Sequence, residues 1–246
     1  MRLDIAIPAY NEEGIITSSL KRVLDFCSVH LADYDWKLSV LINGSSDSSA
    51  KLAHELALNN PRLRVAIFPE GGRGRTLKKH WLATDAEILS YMDIDLAVDL
   101  EALPRLLSPL INESHDISIG CRFHPEARVA RSWFRECSSR IYSRLARLIL
   151  KQPYKDLQCG FKAIRGTTFK KIAEHVKDKA WFFDTELIAH GHSLGFRIAE
   201  IPVNWAEARF MKRKTKVNFL KIALDFIVPL LRLRHDIIKT RKHDKS

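Results

Sequence analysis

The sequence predicts an α/β fold: a mostly parallel central sheet with helices on both faces. Two observations predict it. Short aliphatic runs alternate with helix-spaced stretches through the first half of the chain, and strands separated by helices pair in parallel. Polar, glycine-bearing segments follow the aliphatic runs, where open parallel sheets hold ligands. The 246 residues, 46% hydrophobic and 28% charged, suffice for one substantial core.

The elements follow in order. Strands are expected at residues 3–8, 36–42, 63–68, 87–92 and 116–120, and helices at 12–30, about 47–58, 76–84 and about 100–111. The carboxyl ends then carry Pro8-Ala-Tyr-Asn-Glu-Glu, Asn43-Gly-Ser-Ser-Asp, Gly71-Gly-Arg-Gly-Arg and Asp93-Ile-Asp95. Gly71, Gly72 and Gly74 would let backbone approach a ligand closely, and Arg73 and Arg75 offer phosphate-binding forks. In an extended chain Asp93 and Asp95 point to the same side. Two carboxylates so close ask for a metal, a strong cationic partner or open water.

Charge divides the chain. Residues 1–120 hold 12 Lys/Arg against 17 Asp/Glu, a net of −5; residues 121–246 hold 28 against 12, a net of +16. A split of this size points the second half at something anionic: nucleic acid, a membrane surface or a phosphorylated substrate. Arg122, Arg128, Arg131, Arg135, Arg140, Arg144 and Arg147 crowd one stretch, several at helical spacing. For Arg140, Arg144 and Arg147 an ordinary solvated face is the other reading. No nucleic-acid-binding signature accompanies the basic excess. Cys27, Cys121, Cys137 and Cys159 lack metal or disulfide spacing and read as reduced thiols of a cytosolic chain. His190 and His192 read as structural or surface residues. Residues 219–233, FLKIALDFIVPLLRL, are interrupted by charge and too short to cross a bilayer; they fit an interfacial segment or a helix docked on the domain.

Ile7-Pro-Ala-Tyr-Asn-Glu-Glu, then NGSSD, an Arg-Gly pair before a helix, and DID resemble the landmarks of glycosyltransferase family 2, with its GT-A fold. The later stretches DLQCGFK (156–162), WFFDTEL (181–187) and EIPVNW (200–205) resemble the dolichyl-phosphate and polyprenyl-phosphate hexosyltransferases, especially the glucosyltransferase branch. The resemblance covers about residues 3–236. It implies inverting, metal-dependent transfer of a hexose from a nucleotide-sugar donor to a polyprenyl-phosphate acceptor. By position it implies that Asp93 and Asp95 hold Mg²⁺ or Mn²⁺. Pro8, Tyr10, Glu12, Asn43, Arg73 and Lys216, the last in a late Thr-Lys pair, would border the nucleotide sugar. Arg122, with Arg131 or Arg135, would meet the acceptor phosphate.

Asp184 and Glu186 stay open between two roles, a general base for a glycan hydroxyl acceptor or a brace for neighbouring cations. A nucleic-acid-binding module and an inactive sugar-nucleotide sensor are the alternatives from other classes. Ile42 and Asn43 stand where the family commonly has two acids, and Ala97 where mannosyltransferase relatives often have Gln, which tilts the sugar toward glucose. The implied organisation is a GT-A domain over 1–217, divided into a nucleotide-sugar half (1–120) and an acceptor half (121–217). An amphipathic helix and basic tail (218–246) follow. The chain would work in the cytoplasm, peripherally on the cytosolic face of a membrane or with a membrane-protein partner.

Overall fold

The computed structural model describes residues 1–131, 133–206 and 219–243, the side chains of 134, 135, 219–226 and 240–243 excepted. Arg135 is therefore placed by its backbone alone, and Lys216 lies outside the described residues.

A seven-stranded sheet organises the chain. Its strands are β1 (Arg2–Ala9), β2 (Asp35–Asn43), β3 (Leu63–Phe68), β4 (Ile88–Met92), β5 (Ile117–Cys121), β7 (Phe161–Arg165) and β8 (Ile198–Pro202), in the order β3-β2-β1-β4-β7-β5-β8. All neighbours are parallel except β7, which runs antiparallel between β4 and β5. That reversal has a consequence for the site. The start of β7 lies beside the end of β4, with Phe161 opposite Met92 and Lys162 opposite Tyr91. Residue 160 is thereby set against residue 93. A short parallel pair, β6 (Val129–Ala130) and β9 (Trp205–Ala206), ties the chain after β5 to the chain after β8.

Helices cover both faces, as continuous burial of the central strands requires. α1 (Ile16–His30), α2 (Ser49–Leu58) and α4 (Ala102–Ile111) close one core, where Leu3, Ile5 and Ile7 meet Leu20, Val23, Leu103 and Leu106. α3 (Arg73–Ala83), α6 (Gly166–Ile172), α7 (Phe183–Ser193), α5 (Trp133–Leu150) and α8 (Phe219–His243) close the other. There Trp81 packs edge-on to Phe169 at 4.9 Å and lies near Tyr91 and Phe183. On α8, Leu230, Leu233 and Ile237 are buried, and Lys177 pairs with Asp236 at 3.0 Å. One face of the C-terminal helix is thus docked on the domain. Among the described residues no helix is long and apolar enough to cross a membrane.

Candidate active site

The acidic pair sits in the turn directly after β4, not in an extended strand. Leu96 adopts a positive φ of 50°, a conformation costly for a residue of this kind. The turn is held by Leu96 N–H donating to the Asp93 carbonyl at 3.1 Å and Ala97 N–H donating to Asp95 Oδ1 at 3.3 Å. The alternation argument from an extended chain therefore does not apply, yet the two carboxylates remain electrostatic neighbours. Packing around its carboxyl pushes Asp93 above the usual carboxylate range; Arg73 opposes this, while Asp95 and Asp184 add to it. Asp93 nonetheless keeps 40% of its side chain exposed. Its inner side is flanked by Gly160, where a Cβ would overlap the carboxylate.

Arg73 is the cation paired with Asp93. It opens α3, only 8% exposed, and donates from Nη1 to Asp93 Oδ1 at 2.9 Å. Nη2 bonds Asp184. Asp184, fully enclosed, also receives the Tyr91 hydroxyl and pairs with the buried Lys162 ammonium at 2.9 Å. Burial alone would raise the Asp184 pKa, but Arg73 and Lys162 outweigh it and hold the carboxylate ionised. Trp181 covers Arg73 at 4.3 Å from guanidinium carbon to ring centroid. Arg73 is thus built into the wall and not presented as a free fork, and Arg75 pairs with Glu70. The glycines of this loop serve packing as well. A Cβ on Gly72 would strike the Lys179 carbonyl, and one on Gly74 would strike Phe183 and the Asp178 carbonyl. Gly71 alone is open.

The β1 and β2 loops form a common floor. Asn11, at φ 51°, accepts from Ser46 N–H at 2.9 Å. Glu12 N–H donates to Ser49 Oγ at 2.8 Å, and Ser48 N–H donates to Glu13 at 3.0 Å. Pro8 is buried beneath this floor, Glu12 is half-buried and Tyr10 is exposed on it. Asn43 accepts from Gly72 N–H at 2.7 Å, so its oxygen steadies the α3 loop.

The basic side begins where β5 ends. Arg122 forms a two-pronged pair with the fully buried Asp156, through Nε at 2.7 Å and Nη2 at 2.8 Å. Burial would raise the Asp156 pKa; Arg122 overrides it, leaving it lowered. Glu200 fixes that loop by accepting from Lys155 N–H at 2.6 Å. Arg131, positioned by the β6–β9 pair, donates to Glu136 at 2.7 Å and Ser139 at 2.5 Å. Burial, with help from the nearby Arg122 charge, lowers its pKa although Glu136 opposes. Each guanidinium is thus paired with a carboxylate, Arg122 with Asp156 and Arg131 with Glu136.

Glu186 faces away from this chemistry, accepting from Lys177 and Asp178 N–H at 2.7 Å each. Lys162, Tyr91, Trp181 and Gly160 complete the site, and sequence reasoning assigned none of them a role. A lysine inside the apolar run FKAIR was the available signal, since buried lysines require a partner. Among the described residues no cluster of three or more His, Cys, Asp or Glu could enclose a metal. Mg²⁺ and Mn²⁺ sites of one or two carboxylates completed by substrate phosphates need no such cluster. Asp93 and Asp95 fit an ion shared with a diphosphate.

Comparison with known proteins bears on the family and the fold. The Haloferax volcanii glycosyltransferase AglD is 31% identical over 233 residues, covering 94% of this chain and 37% of its own length. The chain thus spans little more than a third of that relative. A dolichyl-phosphate beta-glucosyltransferase of Saccharomyces cerevisiae is 26% identical over 245 residues, covering 92% of this chain and 73% of its own. Glucosyl-3-phosphoglycerate synthase from Mycobacterium tuberculosis, solved with Mn²⁺, UDP-glucose and phosphoglyceric acid, has a TM-score of 0.66 at 19% identity. It covers 94% of this chain and 79% of its own. That likeness makes the fold GT-A. Residues 4–173 match Glycosyl transferase family 2, and the chain is a glycosyltransferase of that family.

Proposed function

We propose that the chain transfers a hexose, glucose favoured, with inversion from a nucleotide sugar to a polyprenyl or dolichyl phosphate. The observation that carries this reading is the state of the carboxylates in the second half. Asp156 and Asp184 are fully buried and consumed by Arg122, Arg73 and Lys162, and Glu186 is spent on backbone N–H groups. None of the three is free to take a proton from a sugar hydroxyl. A lipid monophosphate needs no such base, because its second pKa near 6 leaves it largely ionised at neutral pH. It needs positioning and charge balance.

Arg122 and Arg131, with Arg135 from the first turn of α5, supply these on the acceptor side. One phosphate oxygen forms the bond to the anomeric carbon as the bond to the nucleoside diphosphate breaks on the opposite face. Asp93 and Asp95 would hold Mg²⁺ or Mn²⁺, which supplies Lewis-acid neutralisation of the departing diphosphate. Arg73 orients Asp93 through its hydrogen bond, while Tyr10, Glu12, Asn43 and Pro8 would border the nucleotide, with Lys216. The dolichyl-phosphate beta-glucosyltransferase activity of the yeast relative and the Mn²⁺–UDP-glucose complex of the synthase support the donor, metal and acceptor classes. Residues 1–120 would act as the donor half, 121–217 as the acceptor half and 218–246 as the appended helix and tail. The protein would sit on the cytosolic face of a membrane, alone or with a membrane-protein partner.

The test is a screen of UDP- and GDP-hexoses with Mn²⁺ or Mg²⁺ and undecaprenyl or dolichyl phosphate. One donor should yield a lipid-linked hexose, and Asp95→Ala should abolish it. Failure of every donor on both lipids, or full turnover by Asp95→Ala, contradicts the reading.

A further inference from the structure

Helix α5 carries three strips along its length. Ser143, Ala146 and Leu150 are buried against the domain. Ile141, Leu145 and Leu148 follow at spacings of four and three, so they share one face; Ile141 is 58% and Leu148 75% exposed. Arg140, Arg144 and Arg147 follow at the same spacings one residue earlier, which places an exposed basic strip beside the apolar one. Trp133 stands exposed at the start of the helix.

Beneath the basic strip is a pocket of about 160 Å³ lined by Phe123, Arg140, Ser143, Arg144, Arg147 and Lys155. Four of its six lining residues are cationic and none is acidic. Among the described residues no carboxylate pairs with Arg144, Arg147 or Lys155; Arg140 bonds Glu136, which Arg131 shares. A solvated basic face explains the arginines but not a row of exposed aliphatic side chains alongside. A nucleic acid would cover the arginines and leave Ile141, Leu145 and Leu148 in water. An anionic bilayer satisfies both strips together, with apolar side chains at the acyl boundary and cations at the phosphates. Exposed tryptophan suits the same depth.

We propose that α5 is a bilayer-docking surface whose basic pocket takes the phosphate headgroup of an anionic phospholipid. Ile141, Leu145 and Leu148 then lie among the upper acyl chains. The inference does not require sugar transfer, and its readout, vesicle binding, is independent of turnover.

The experiment is co-sedimentation of the full chain with phosphatidylcholine vesicles, with and without phosphatidylglycerol, at low salt. The chain should bind the phosphatidylglycerol vesicles preferentially. The double variant Arg144→Ser, Arg147→Ser should bind roughly 30-fold more weakly, about fivefold per arginine. Leu148→Ser should bind about tenfold more weakly. Both should retain thermal stability and turnover on a water-soluble short-chain acceptor. Soluble glycerol phosphate should compete poorly, because it lacks the acyl chains. Undiminished vesicle binding by both variants would overturn the proposal and leave the basic tail as the anchor. Equal binding of neutral vesicles would overturn the headgroup site. Loss of turnover on the soluble acceptor in the arginine variant would reassign the pocket to the acceptor. Duplex DNA retained through Arg144 and Arg147 without vesicle binding would make the face a nucleic-acid surface.

Discussion

Replacing Asp184 by Asn separates the two roles that this carboxylate could hold. The side chain is fully buried, 2.9 Å from the Lys162 ammonium and bonded to Arg73 and Tyr91. At 2.9 Å and an effective dielectric near 20, the attraction to Lys162 alone is roughly 6 kcal/mol before desolvation is set against it. Asn keeps the shape but leaves Lys162 unbalanced and Arg73 with Asp93 as its remaining carboxylate. The expected loss is about 3–5 kcal/mol of folding stability. That corresponds to a fall in Tm of about 10 °C for a chain of this length. Turnover should fall only about tenfold, as Arg73 and with it Asp93 relax. Denaturant unfolding and donor turnover, measured on the same preparation, check both. Adding Lys162→Met to Asp184→Asn should recover at least about 1 kcal/mol, because the uncompensated buried cation is then gone. A Tm unchanged by Asp184→Asn, together with a turnover loss of 10³-fold or more, would refute the bracing role and identify a general base.

Three further outcomes follow from other parts of the site. Gly160→Ala should fold with a Tm within a few degrees of the parent, because the group it displaces is a flexible carboxylate. Its apparent Mn²⁺ requirement should rise at least about tenfold as Asp93 turns aside; unchanged metal dependence would contradict the contact. Arg122→Lys keeps the charge but loses the fork on buried Asp156, so stability should fall by about 1–3 kcal/mol. Its KM for the lipid phosphate should rise while the donor KM holds, and an unchanged acceptor KM would remove Arg122 from the acceptor site. Burial and the stacked His175 hold His190 neutral, with a pKa lowered to about 4; Lys177 works the same way and Asp236 against it. The unfolded chain takes up this proton near pH 6.5 and the folded one only near 4, so stability is complete above 6.5 and is lost as pH falls toward 4. The loss attributable to His190 is about 3 kcal/mol, and His190→Leu should flatten the dependence of Tm on pH across that window.

Much of the fold could be read from periodicity, and the departures have local causes. The strand at 63–68 is found over the expected residues because its edges are marked by Pro61 and Pro69. α1 starts at Ile16 and not at 12, since the preceding residues form a turn in which the Glu12 carbonyl accepts from Ile16 N–H at 2.9 Å. α3 starts at Arg73, three residues before the expected start, because Gly72 and Gly74 permit close packing against Lys179 and Phe183 that no local propensity encodes. The antiparallel β7 was invisible in the alternating pattern: its short run contains Lys162, which reads as polar until Asp184, distant in sequence, is brought beside it.

The candidate site shows the same division. Residue types and spacing located Asp93, Asp95 and Arg122 on the strand-end edge, but not which charges would neutralise which. The aspartates were expected to need a cation, and the sequence left Arg73 grouped with the phosphate-binding forks; the fold turns it inward onto Asp93 and Asp184. Asn43, expected to border the nucleotide sugar, likewise steadies a loop through its side-chain oxygen. Such pairings depend on contacts across 20 to 111 residues, and no local pattern carries them.

The central claim is that the acceptor is an anionic lipid phosphate received by Arg122 and Arg131. It is tested most directly by comparing kcat/KM for a short-chain polyprenyl phosphate, the corresponding polyprenol and an oligosaccharide, with one nucleotide sugar and saturating Mn²⁺. The account predicts transfer to the phosphate alone. Transfer to the polyprenol or the oligosaccharide at a comparable rate would contradict it.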